Sequence, residues 1–228
     1  MSAGRPPLTR SREDYLKALF ALAGAGAAPV GALARRLGVS PPSVTNMLGR
    51  LARAGLVTRA VRGGSRLTPR GRRAALATVR RHRLVETFLV RVLKLDWAEA
   101  HDDAEVLEHH VSDRVLAALD RLMAHPREDP HGHPIPDRRG RLARRTLAPL
   151  AALPSGAAAV IREIRDRDGR RMARWKRAGL VPGARVRMRA ADAETGLYRI
   201  EIAGRGRLVS GGAGLEGVLV ERRGRSGT

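Results

Sequence analysis

The chain has no cysteine among its 228 residues. That excludes a disulfide framework and any thiolate metal site. Aromatic residues make up only 3%, so the core has to be mostly Ala, Leu and Val, which an apolar content of 43% can supply. Lysine is nearly missing as well: Lys17, Lys94 and Lys176 aside, all of the 44 cationic residues are Arg. No apolar run reaches the roughly 18 residues of a membrane span, and no basic-then-apolar leader opens the chain. The expected location is therefore the cytoplasm, with no membrane partner. A formal charge of +22 points to a polyanionic partner such as nucleic acid. With so much Ala and Gly, the Arg excess also reads as a GC-rich coding bias, so many of these cations are expected to be solvated surface.

What the chain does have is a stretch dense in metal-ligand types, His101-Asp102-Asp103-Ala104-Glu105-Val106-Leu107-Glu108-His109-His110. At about 100° per residue, His101, Glu105, Glu108 and His109 fall within roughly 80° of one another on one helical face. His82 and Glu86 form a second helical pair at i,i+4 spacing. Carboxylate oxygens and imidazole nitrogens converging in this way suit a divalent first-row metal. His110 points away from His109 and is expected not to be a ligand. His125, His131 and His133 fall in a His-, Pro-, Gly- and Arg-rich stretch over 125–155, which is expected to be a solvated linker.

The N-terminal third reads as a DNA reader. A helix is expected from Ser11 to about Ala23, stopped by Gly24-Ala25-Gly26, and a short one from Val30 to Leu37. Ser40-Pro41-Pro42 opens a third, with Ser40 as N-cap and Pro where a missing N–H costs least. Leu56 to Thr68 reads as a hairpin turning at Gly63-Gly64. Helix, tight turn, helix and hairpin make a winged helix-turn-helix. Ser43, Thr45, Asn46, Arg50 and Arg53 point away from the Val44/Leu48/Leu51 core face. Asn and Arg can read base edges, while Ser and Thr suit phosphates or methyl groups. Arg59, Arg62 and Arg66 on the wing suit phosphate or minor-groove contact. The candidate DNA-binding residues are thus Ser40, Pro42, Ser43, Thr45, Asn46, Arg50, Arg59, Arg62 and Arg66.

Thr68-Pro69 caps a long helix expected to reach about Leu95, and two more are expected over 97–110 and 112–124. Past about Pro154 the pattern changes to short strands between Gly-rich turns: Val160-Ile161, Val186-Arg187-Met188, Tyr198 to Ile202, and Val218-Leu219-Val220. The expected fold class is mainly α with a C-terminal all-β module: a winged helix-turn-helix, a helical domain and a small barrel.

This order of elements resembles the diphtheria-toxin-repressor/manganese-transport-regulator family over about residues 9–222. The resemblance is carried by Glu13-Asp14-Tyr15-Leu16, Ser40-Pro41-Pro42-Ser43-Val44-Thr45, Leu67-Thr68-Pro69-Arg70-Gly71, Arg81-His82-Arg83-Leu84-Val85-Glu86, the 101–109 cluster and Pro134-Ile135-Pro136. It implies a DNA-binding domain over 1–72, a dimerisation and metal-binding domain over 73–136, a linker over 137–155 and an SH3-like domain over 156–224. By position, it implies a primary metal site of Asp14, Glu105, Glu108 and His109. Iron-type members carry Met and Cys where this chain has Asp14 and Glu105. Hard oxygens with one imidazole suit Mn2+, with Fe2+ the second activator.

The second site implied is His82, Glu86 and His101 with Glu163 and Asp166 from the barrel, making two ions per chain. Lys17 stands where the short, barrel-less manganese regulators carry a Glu of their second metal position. His133 replaces a common Asn. The function implied is a homodimeric, Mn2+-dependent repressor of metal-uptake genes that binds an inverted-repeat operator in double-stranded DNA, with the 97–124 helices as the dimer interface. Two alternatives stand beside it: an Fe2+-responsive regulator of the same family, and a winged-helix regulator that ignores metal. A Glu/His-bound metal can also activate water in a hydrolase. No separate base, oxyanion donor or phosphate loop accompanies it here, so the chain is not expected to be an enzyme.

Overall fold

The computed structural model describes residues 8–22, 26–60, 64–97, 99–166, 168–192 and 194–222. The chain divides into two compact units. Residues 1–82, 108–111 and 136–141 form the first, and 83–107, 112–135 and 142–228 the second.

In the first unit, helices α1 (Arg10–Leu22), α2 (Val30–Leu37) and α3 (Pro41–Arg53) precede an antiparallel hairpin of β1 (Val57–Arg59) and β2 (Ser65–Leu67), with Val57 opposite Leu67. This is the winged helix-turn-helix. Its core joins Tyr15, Leu16 and Leu19 of α1 to Leu33, Val44, Leu48 and Leu51 of the next two helices and to Leu56 and Ala75. Each fully buried Leu contributes about 1.5–3 kcal/mol. The Ser40 hydroxyl accepts the Ser43 N–H at 3.4 Å, with Pro in the first turn of α3. Gly24, Ala25 and Gly63 of the expected turns lie outside the described residues.

Helix α4 (Pro69–Arg91) starts at a tight junction with the hairpin. The Thr68 hydroxyl donates to the Gly55 carbonyl at 2.8 Å and accepts the Gly71 N–H at 2.9 Å. A Cβ on Gly71 would lie 1.8 Å from the Leu56 carbonyl oxygen, so no side chain fits there.

The second unit holds the rest of α4, then α5 (Ala100–Leu107), α6 (Asp113–Leu122) and the β module. These helices are shorter than the sequence pattern predicts, because the backbone leaves the helical region early: Lys94 at φ 61°, Ala124 at 56° and His125 at 55°. Six strands form one antiparallel sheet: β3 (Ala148–Pro149), β4 (Ala158–Ile164), β5 (Arg185–Ala191), β6 (Leu197–Ile202), β7 (Gly206–Gly211) and β8 (Val218–Arg222). Their order is β3-β8-β4-β5-β6-β7. Helix α7 (Gly169–Ala178) intervenes between β4 and β5, capped by the Asp168 carboxylate on the Arg170 N–H at 2.9 Å. Met172 and Trp175 of α7 join Ile161, Val186, Met188, Ile200, Val218 and Val220 in the core.

All four strands expected from the sequence are present. Helix α7 and strand β7 are present but not expected from the sequence: the first hides its two core residues among arginines, and the second is bracketed by glycines. Part of the expected linker is ordered too. Leu150 and Leu153 are buried in the module's core, and Ala148–Pro149 pairs with β8. The fold class is mainly α with a C-terminal all-β module.

Candidate metal centre and DNA-reading surface

On α3 the core residues Val44, Leu48 and Leu51 are buried, while Pro42, Ser43, Thr45, Asn46 and Arg50 are exposed. Ser40 before the helix and Arg59 and Arg66 on the hairpin are exposed as well. Arg62 lies outside the described residues. The Thr45 hydroxyl donates back to the Pro41 carbonyl at 3.1 Å. Its methyl group is therefore the part left to face a partner. Asn46 and Arg50, four residues apart, share one helical face. An exposed reading helix with side chains of this kind is what a major groove admits.

Within the same unit a second constellation forms. Asp14 lies on α1, whose Tyr15, Leu16, Ala18 and Leu19 are buried in the core. Glu108 and His109 lie in the turn after α5. One ligand atom from each of Asp14, Glu108 and His109 comes within 4.8 Å of the others. His109 Nε2 is 3.0 Å from Asp14 Oδ1 and 3.4 Å from Glu108 Oε1. On the far side of the ring, His109 Nδ1 lies 2.8 Å from Glu13 Oε2, and Arg81 holds the other oxygen of Glu13 at 3.1 Å. A carboxylate only accepts, so Nδ1 carries the proton. Nε2, the other ring nitrogen, then faces the two carboxylates. Among the described residues this nitrogen is buried and makes no hydrogen bond. A carboxylate behind an imidazole whose other nitrogen lacks a donor is the arrangement that a bound metal requires. The donor set, two carboxylates and an imidazole, fits a divalent cation.

Glu108 is fully buried. It is held by Lys17 of α1, whose Nζ donates to Oε1 at 2.8 Å and to Oε2 at 3.0 Å. His82 Nδ1 is 2.7 Å from Oε2. Glu13 was not expected as a site residue. The signal was available, since it stands beside Asp14 in the sequence, but nothing in the chain order shows that it faces His109.

In the second unit, Glu86, His101 and Glu105 form a line. His101 Nδ1 is 3.1 Å from Glu86 Oε1, and its Nε2 is 3.3 Å from Glu105 Oε1. Burial works against charging His101, but the hydrogen bonds it donates to the Glu105 and Glu86 carboxylates outweigh it and push its pKa up to about 9. His131 also faces Glu86, with Nε2 at 3.4 Å from the same Oε1, and is only 5% exposed. This overturns the expectation of a solvated His-rich linker.

The 129–134 loop is ordered by Asp129, whose Oδ1 accepts the N–H groups of His131 and His133 at 2.9 Å each. The Ile164 N–H donates to the His131 carbonyl at 2.9 Å, which ties the loop to the module. Gly132 has φ +84°, and a Cβ there would meet the Arg162 carbonyl oxygen at 1.8 Å. His133 faces a carboxylate as well, with Nδ1 3.0 Å from Asp129 Oδ2, and among the described residues neither His131 nor His133 enters a cluster of three convergent ligand atoms. His125 and His110 are exposed.

Glu163 and Asp166 are engaged elsewhere. Glu163 is buried at a register shift in β4, where Arg165 binds it at 2.7 Å. Asp166 is bound by Arg171 at 2.8 Å. Among the described residues neither enters a cluster of three or more convergent His, Asp and Glu ligand atoms. No helix of the described residues is long and apolar enough to cross a membrane.

Fold and site together define a DNA-binding protein of the winged-helix class that carries a divalent-metal centre. Three family models match the chain. The N-terminal DNA-binding domain of iron-dependent repressors matches residues 7–64, their metal-binding and dimerisation domain residues 68–137, and the FeoA domain residues 148–210. The iron-dependent repressor IdeR of Mycobacterium leprae is 35% identical over 202 residues, which cover 82% of this chain and 86% of the relative. The diphtheria toxin repressor of Corynebacterium diphtheriae is 37% identical over 130 residues, covering 57% of this chain and 58% of that one. Among solved structures, a manganese-dependent transcriptional repressor in complex with manganese superposes with a TM-score of 0.86 at 35% identity, covering 93% of this chain and 100% of that one. The chain belongs to the iron-dependent repressor family, also called the diphtheria-toxin-repressor family. It is a metal-dependent transcriptional repressor, built from that family's DNA-binding, metal-binding and dimerisation, and FeoA domains.

Proposed function

We propose that the metal is Mn2+ and that its binding switches a homodimer onto inverted-repeat operators of metal-uptake genes. Asp14, Glu108 and His109 hold the first ion, and Glu105, three residues before Glu108 in the chain, is the fourth donor the sequence pattern offers. Glu86 and His101, with His82 one turn before Glu86 on α4, hold a second ion. Glu163 and Asp166 are the module's candidate donors to it. One observation carries the assignment: a buried His109 Nε2 that makes no hydrogen bond among the described residues, turned toward Asp14 and Glu108 by the carboxylate of Glu13. Oxygen donors with imidazole and no sulfur favour a hard ion such as Mn2+.

A bound ion supplies a fixed positive charge that ties α1 to the Glu108–His109 turn. Because α1 packs against the reading helices through Leu16 and Leu19, fixing α1 narrows the range of positions that Asn46 and Arg50 sample. The metal-bound population is then enriched in the DNA-competent form. Dimerisation is supported by α6, whose buried residue is Asp120, while Val115 and Leu122 are 46% and 65% exposed. Val106 and Leu107 of α5 are exposed as well. Apolar helix faces of this kind are what a two-fold partner covers. The contacts read DNA through Ser43, Thr45, Asn46 and Arg50, with Arg59, Arg62 and Arg66 toward the backbone. As a repressor, the chain is not an enzyme.

The test is binding of metal-stripped protein to duplexes from its own upstream region, by fluorescence anisotropy with chelator, Mn2+ or anaerobic Fe2+. Tight, competitor-resistant binding with Mn2+ and none with chelator is expected. The Asp14→Ala variant should lose metal-dependent binding and keep its fold; unchanged Mn2+ dependence in that variant would remove Asp14 from the site. An Fe2+ reading is favoured by the iron-dependent repressor of M. leprae at 35% identity, and stronger activation by Fe2+ than by Mn2+ would establish it.

A further inference from the structure

Lys17 is not among the proposed metal ligands, yet its ammonium group sits on one carboxylate of the first site. It lies on α1, three residues from Asp14, so one helix carries both a proposed ligand and a cation aimed at the same carboxylate. Its ammonium group bonds both oxygens of Glu108, at 2.8 and 3.0 Å, across 91 residues of sequence. The pair is out of water: side-chain exposure is 11% for Lys17 and zero for Glu108. A buried carboxylate is costly unless it is paired. Lys17 supplies the charged part of that pairing when no metal is bound, beside His82 at 2.7 Å from Oε2. An ion taken up by Asp14, Glu108 and His109 must share Glu108 with a charge already seated on it, or displace that charge.

We propose that Lys17 is a built-in competitor of the metal, the residue that sets how much free ion is needed to close the switch. The same ammonium holds the Glu108 carboxylate to a single ion, because a second cation there would meet it at contact distance. This rests on Asp14, Glu108 and His109 being the metal site. Two consequences separate a competitor from a residue that merely positions Glu108. Removing a competitor tightens metal binding, whereas removing a positioning residue weakens it. Removing a competitor also destabilises the metal-free protein selectively, since buried Glu108 then loses its ammonium partner and keeps only imidazole neighbours among the described residues, His82 at 2.7 Å and His109 at 3.4 Å, whereas the ion restores compensation in the bound form.

The experiment is Mn2+ titration of metal-stripped wild type, Lys17→Met, Lys17→Gln and Lys17→Arg against a chromogenic chelator, with thermal melts of each with and without Mn2+. Lys17→Met is expected to bind Mn2+ on the order of tenfold more tightly than wild type, a coupling of ordinary size for two ligands of one site. Its metal-free melting temperature should fall, and the gap to wild type should close with Mn2+. Lys17→Gln, which can still donate a hydrogen bond to Glu108, serves the same purpose if the Met variant is poorly folded without metal. Lys17→Arg keeps the charge and should stay within about threefold of wild type. Weaker or unchanged binding in both neutral variants, with saturable binding in wild type, overturns the role of Lys17 alone. An absence of saturable binding in wild type overturns the metal site on which it rests.

Discussion

His109 has two nitrogens, and the protein uses them differently. Nδ1 is tied to Glu13 and, through it, to Arg81. Nε2 faces Asp14 and Glu108 and, among the described residues, makes no hydrogen bond. Asp14, Glu108 and His109 were legible as candidate ligands, because acidic and imidazole side chains cluster in the sequence and match a family pattern. Glu13 was not, since its partner lies 96 residues away and only the fold brings them together. Outer-shell carboxylates of this kind typically change metal affinity 10–100-fold when removed. Glu13→Gln should therefore weaken Mn2+ binding by roughly that factor while leaving the far-UV circular dichroism unchanged. Unaltered affinity by chelator competition would remove Glu13 from the site. His131 is the complementary case. Its composition of neighbours, Pro, Gly and His, is that of a loop, and it is buried because Asp129 folds that loop over its own N–H groups.

The elements follow two kinds of instruction. Caps and breakers are local and readable: Ser40 before Pro41-Pro42, and Thr68 before Pro69, start α3 and α4 where the sequence predicts. Gly71 adds a requirement that is not local, because what excludes a side chain there is the Leu56 carbonyl of the preceding hairpin. Gly71→Ala should lower stability by about 1–3 kcal/mol, the usual cost of overpacking, read as a shift of the urea midpoint at constant slope. A midpoint equal to wild type would mean that the junction opens without cost. In the β module, β4 shows why the burial of Glu163 could not be read from the sequence. The register shift between Ile161 and Glu163 turns both Glu163 and Ile164 inward, as a bulge does when it re-aims a side chain, and Arg165 then satisfies the carboxylate. No alternation of hydrophobic residues reveals a bulge in advance.

At the scale of the whole molecule, charge and pH set the working range. His101 gains its raised pKa, about 9 against an ordinary 6.5, only in the folded chain. The stabilisation this provides is complete below about pH 6.5 and is lost as pH rises through 9. The melting temperature of chelator-treated protein should therefore fall over that window, and the His101→Gln variant should show a flatter profile. A wild-type profile as flat as the variant's would refute the assignment. The same proton must leave before His101 can bind a metal, so metal affinity at Glu86 and His101 rises over the range in which metal-free stability falls. The sequence by itself determined the fold class, the winged helix-turn-helix, the all-β module and the residue types available to a metal, because these follow from periodicity, caps and composition. Tertiary structure decided which of those side chains meet: that Glu13 orients His109, that Lys17 rests on Glu108, that His131 is buried facing Glu86, and that arginines hold Glu163 and Asp166. Each is a contact between residues whose separation is set by packing, and a side chain's chemical type carries no information about which distant partner the core will bring to it.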